Sequence, residues 1–92
     1  MKELRYFIDP ATGQPHIYNH NVDESEVEEV LRRPRKHQPG GENSRIALGQ
    51  TSAGRFLKVI YSEDQEDAGL FVITAYDLRG KALAALRRRL RR

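Results

Sequence analysis

Between residues 45 and 78 the chain reads RIALGQT, SAG, RFLKVIYS, EDQEDAG, LFVITAYDL. Three segments rich in β-branched, aromatic and aliphatic residues are separated by two short polar turns. Neither turn can hold a crossover helix. Consecutive strands joined this closely pair antiparallel. Gly54 supplies the positive φ that the tight SAG turn requires. LFVITAYDL is the most apolar run in the chain and reads as the central strand.

The remaining segments must cover that sheet. KELRYFI, 2–8, reads as a strand with Leu4, Tyr6 and Ile8 on one face. DPATGQP, 9–15, is a turn or loop. Pro15 suits the first position of a short helical turn through His16–His20. Asp23 followed by Glu26 is a capping-box start. Val27, Val30 and Leu31 then form an apolar stripe, with the acids facing water and Pro34 ending the helix. Residues 33–44, punctuated by Pro34, Pro39 and Gly40-Gly41, read as a flexible loop. GKALAALRRRLRR, 80–92, reads as a helix with Leu83, Leu86 and Leu90 on one side. The expected order is β–α–α–β–β–β–α, with the first helix a short one. The class is α+β: one domain, 1–92, with a small antiparallel sheet packed by helices on one face.

Ninety-two residues supply one thin core, so any site is an open surface or groove. There is no cysteine, which excludes disulfides and thiolate chemistry and fits a reducing compartment. MKELRYFIDP lacks the apolar run of a signal peptide, and no apolar run approaches bilayer length. A soluble cytoplasmic protein without membrane attachment is expected. The net charge of +3 is unevenly spread. Residues 23–29 hold five acids and no base, and residues 79–92 hold seven bases and no acid. So dense a basic end attracts polyanions through salt-sensitive forces. Alternatively, 87–92 is a frayed end. The strand edge at 2–8 can pair with another chain and form a homodimer.

His16 and His20, four apart, raise the question of a metal. Two ligands do not make a site, no glutamate lies between them, and His37 sits in a separate loop. No metal and no cofactor are expected. His20 has two readings: it braces the start of the Asp23 helix, or it transfers protons, since imidazole titrates near neutrality.

The pieces FIDP (7–10), HNVDESEVEEVL (20–31), RIALGQTSAGRFLKVIY (45–61) and VITAYDLRGKAL (72–83) together resemble the BrnT family, toxins of type II toxin–antitoxin systems. The most specific piece is 45–61, where an Arg, a Gly and a Thr precede Gly-Arg and an apolar strand. Asn19 and Asn21 stand where that family has Lys and Gly around its His. Tyr76 ends the last strand where that family places Arg. The resemblance implies a RelE/ParE-like fold and an mRNA-directed endoribonuclease, ribosome-associated or free, held in check by a cognate antitoxin. Such enzymes direct a 2′-hydroxyl at the neighbouring phosphate, which needs a base, an acid and cations. On that reading His20 moves protons and Arg45 and Arg55 grip the phosphate. Tyr76 stacks a base or acts as an acid. Lys58, Arg79, Lys81, Arg87 and Arg88 bind the RNA backbone. The competing reading is a non-catalytic RNA- or protein-binding module on the same fold. There phosphate contact remains and cleavage is lost; in a purely structural reading Arg45 and Arg55 only solvate a hairpin and Tyr76 is a core-edge aromatic.

Overall fold

The computed structural model describes residues 2–63 and 68–91. The chain opens with β1 (Leu4–Tyr6), β2 (Ile8–Asp9) and β3 (Gln14–Pro15). A 3₁₀ turn (His16–His20) and α1 (Glu24–Arg32) follow. Then come β4 (Lys36–Pro39), β5 (Arg45–Gln50), β6 (Phe56–Glu63), β7 (Leu70–Asp77) and α2 (Gly80–Leu90). Among these elements no helix is long and apolar enough to cross a membrane.

The α+β class holds. Five strands form one sheet in the order β1-β7-β6-β5-β4. The antiparallel meander from β5 to β7 is present as read. The sheet is nevertheless mixed, because β1 runs parallel to β7. The central position belongs to β6; β7, the expected centre, lies between β6 and β1. The segment read as a flexible loop contains β4, which pairs antiparallel with β5 from Lys36↔Leu48 to Pro39↔Arg45. Its prolines misled the reading. Pro39 closes the strand beside the Gly40-Gly41 turn, on a sheet edge where a missing N–H costs little. The strand expected over 2–8 breaks after Tyr6, and β2 and β3 form a small separate hairpin inside the expected loop. The acidic turn expected between β6 and β7 lies largely outside the described residues, as does Arg92.

The helices cover opposite faces, not one. Alternation along β6 sends Leu57, Val59 and Tyr61 toward α1, where they join Ile17, Val22, Val27, Val30, Ala47, Val72 and Ala75. Phe56 and Ile60 point the other way, with Ile46, Leu48, Leu78, Leu83, Leu86 and Leu90 of the α2 layer. The α1 layer closes tightly because Gly49 has no side chain: a Cβ there would stand 3.0 Å from Val30 Cγ1. The helix starts as its sequence indicates. The Asp23 carboxylate accepts from the Glu26 N–H at 2.9 Å, and Glu26 accepts from the Asp23 N–H at 3.1 Å. The α2 helix runs through Leu90, so Arg87, Arg88 and Arg89 are helical.

β1 spans only three residues and pairs with Leu70, Phe71 and Val72. Among the described residues the rest of β7 has no strand on that side. The 3₁₀ turn packs beside β7 instead. It sends Ile17 into the α1 core and reaches with His20 toward Tyr76 on the α2 face.

Candidate functional site

The site begins with one row across the sheet. Lys58 pairs with Tyr76 in the β6–β7 register, on the face that carries α2. The Lys58 ammonium lies 5.7 Å from the Tyr76 ring centroid, within cation–π range. From the uncovered edge of β7 the His20 ring meets Tyr76 edge-on, with centroids 5.6 Å apart. His16 continues the chain of rings at 5.3 Å from His20. His20, Asn21, Lys58, Tyr76, Asp77, Leu78, Arg79 and Ala82 line an open groove of about 620 Å³.

Arg55 is not free to grip a phosphate. Its Nε donates to Asp77 at 2.8 Å. One terminal nitrogen donates to the Asn21 carbonyl at 2.6 Å and to Glu26 at 3.1 Å. The other donates to the His20 carbonyl at 3.2 Å. The guanidinium thus fastens the end of the 3₁₀ turn to the head of α1 and the tail of β7. Its hydrogen bond to Asp77 is the main reason its own pKa is raised. The same bond holds the Asp77 carboxyl below the usual carboxylate range. Arg55 therefore ties down the His20 and Asn21 backbone, with its guanidinium donors already engaged by carboxylates and carbonyls.

Arg45 stands elsewhere. It occupies the far end of β5, five residues from Gln50, which pairs with Phe56 beside Arg55. At strand rise that separates the two arginines by roughly 17 Å along the sheet. Arg45 is exposed and faces Glu63 at 3.8 Å. The expected convergence of His20, Arg45 and Arg55 on one hollow does not form. His20, Tyr76 and Lys58 do converge, with Arg79 at the rim. Arg79 is largely exposed and lies 3.5 Å from Asp77. Lys81 is exposed on the first turn of α2 and does not line the groove. Arg87 turns away and places its guanidinium 5.3 Å over the Phe56 ring. Arg88 lines a neighbouring groove.

Sequence reasoning passed over the neighbours of His16. Asn19 Nδ2 donates to Asp9 Oδ2 at 2.6 Å and lies 3.3 Å from His16 Nδ1. Asp9 Oδ2 is 3.7 Å from the same nitrogen. The Ala11 backbone N–H, then Asn19, hold the Asp9 carboxyl below its ordinary range. The signal was the Pro-rich turn at 9–15, which reads as a loop and gives no hint that it returns Asp9 to the helical turn. Among the described residues no group of histidines and carboxylates is suited to hold a metal ion.

Residues 16–77 match the family model described as "Domain of unknown function (DUF4258)". No curated protein and no solved structure matches the chain. The matched span runs from the 3₁₀ turn to the end of β7 and contains His16, His20, Arg55, Lys58 and Tyr76.

Proposed function

The chain belongs to the DUF4258 family, and we propose that it is an RNA-directed domain working through the His20–Lys58–Tyr76 groove, a BrnT-like toxin with a RelE/ParE-like fold. The observation that carries this reading is the meeting of an imidazole, a phenol ring and an ammonium in one open groove on a basic face. A partly exposed aromatic ring offers its face for a base to stack on, and the ammonium meets the phosphate beside it.

The proposed reaction is strand cleavage without a metal. The 2′-hydroxyl loses its proton to His20 and its oxygen attacks the adjacent phosphorus. A five-coordinate phosphorane forms, and Lys58 offsets its charge. The bond to the 5′-oxygen breaks, and that oxygen takes up a proton from Tyr76 or from water. The products are a 2′,3′-cyclic phosphate and a 5′-hydroxyl. In a cell the groove would be covered by a cognate antitoxin. The second reading, a module that binds RNA without cutting it, draws on a specific observation. Arg45 and Arg55 stand outside the groove, which leaves Lys58 and Arg79 as its cationic lining.

The test is cleavage of a labelled RNA by the purified chain, by His20→Ala and by Lys58→Ala, with circular dichroism to verify folding. Cyclic-phosphate ends are expected, blocked when the 2′-hydroxyls are replaced by hydrogen. His20→Ala should lower the rate by about 10²-fold to 10⁴-fold. Bound but intact RNA would select the second reading. Neither binding nor cleavage would end the RNA proposal.

A further inference from the structure

The groove at His20 does not stop at Ala82. A second groove of about 340 Å³ begins at the same residue and is lined by Lys36, Gln38, Leu48, Ala85, Leu86, Arg88 and Arg89. Among the described residues no carboxylate lines it. The two grooves follow one line of the sheet. Lys36 pairs with Leu48, Leu48 with Lys58, and Lys58 with Tyr76, so four strands contribute one row to the α2 face. Three strand spacings make that row roughly 14 Å long. Along it α2 presents Ala82 and Ala85, whose small side chains leave the channel open between helix and sheet.

The cations lining this channel differ from three of the other cations named above. Arg45, Arg55 and Arg79 each have a carboxylate partner. Among the described residues Lys36, Lys58, Arg88 and Arg89 have none. Unpaired cations lining a channel, whose one carboxylate among the described lining residues, Asp77, is held by Arg55 and Arg79, lower the energy of any anion that enters it. Their placement along one channel, ending at the exposed His20 ring and the half-buried Tyr76 ring, fits a chain of phosphates whose terminal base stacks. The acidic stretch Asp23–Glu29 belongs to α1, which covers the opposite face.

We infer that Lys36, Lys58, Arg88 and Arg89 form a track for the backbone of single-stranded RNA, leading away from the His20–Tyr76 groove along α2. The inference rests on the RNA reading above and extends it to a path and to two residues, Lys36 and Arg89, outside the groove itself. Each phosphate contact on a single strand contributes about 0.7 to the slope of log affinity against log salt. Removing two contacts should flatten that slope by about 1.4, or about 7-fold less affinity lost over a fourfold rise in salt.

The experiment measures binding of a labelled oligouridylate across salt concentrations. It compares the full chain, Lys36→Gln/Arg89→Gln, and Arg32→Gln/Arg45→Gln, which removes equal charge away from the track. All six residues that line the second groove besides Lys36 and Arg89 are unaltered, and thermal melts verify folding. A flattened slope in the first double variant alone is the expected result. Equal flattening in both would mean net charge acts, not a track, and would overturn the inference. Salt-sensitive binding by the full chain, unchanged in the first double variant, would overturn the track and leave the groove standing. No binding by the full chain would remove both proposals together. A polyglutamate competitor supplies the last arm: if the first double variant loses affinity for it but not for RNA, the row serves an acidic protein.

Discussion

Replacing Arg55 with alanine removes a cation that holds three elements together. The guanidinium donates to Asp77, to Glu26 and to the carbonyls of His20 and Asn21. Its side chain is 26% exposed, against 22% for Glu26 and 35% for Asp77, so water screens the pairs only in part. A hydrogen bond to a charged group contributes about 1.5–3 kcal/mol net, but several on one group do not add. Deleting the cation also leaves Glu26 without its ion-pair partner and Asp77 with only the exposed Arg79. Discounted for exposure, the loss should be about 3 kcal/mol, near the lower bound for breaking a buried pair. A domain of this size has about 5–14 kcal/mol of stability in all. The melting temperature should therefore fall by about 12–24 °C. Arg55→Lys keeps one charge but not the planar fan of donors, and should lose about half as much. Urea unfolding followed by circular dichroism measures both. An Arg55→Ala protein within about 0.5 kcal/mol of the wild type would refute the reasoning. Normal stability with abolished RNA binding would place the guanidinium in the site after all.

Two further outcomes follow from the same contacts. Asp77, Asp23 and Asp9 are all held below the ordinary carboxylate pKa, by Arg55, by the Ser25 hydroxyl and by the Ala11 N–H respectively. The stability they supply is therefore present above the unfolded carboxylate pKa and lost as pH falls through the lower folded values. Urea midpoints should drop steeply below about pH 4, and Asp77→Asn should make that acid limb shallower. Leu86→Ala empties the best-buried position of α2 and should cost about 2–5 kcal/mol, read as a lower urea midpoint together with weaker helical circular dichroism.

The meander was legible because its information is local. β-branched runs, a Gly54 turn and the capping pair Asp23 and Glu26 each act within a few residues, and each appears where the sequence places it. The errors concern pairings that local pattern does not encode. KELRYFI states that it prefers to be extended, but not that it lies parallel to β7. Lys36–Pro39 contains one proline and no apolar residue besides it, so nothing in its composition marks a strand. The exposed edge of β5 recruits it. Which face each helix covers is likewise a tertiary matter. Leu57 and Ile60 carry equivalent apolar signals and serve different layers.

The candidate site divides along the same line. Lys58 and Tyr76 are on neighbouring strands, and once the meander is granted, their pairing follows from the register. His20 joins them for a reason no local pattern contains: β1 is too short to cover β7, and the 3₁₀ turn lies along the vacant edge. The arginines failed on charge accounting. Arg55 follows Gly54 as in the resembling toxins, yet the two acids that neutralise it lie 29 positions before it and 22 after it in the chain. A cation so surrounded organises the site from beneath, whereas the lysines on the α2 face stay open to an incoming anion. The distinction that matters for the proposal is therefore not only which residues are basic but where the fold leaves them without an acid, and among the described residues Lys36, Lys58, Arg88 and Arg89 meet that condition along the channel between α2 and the sheet.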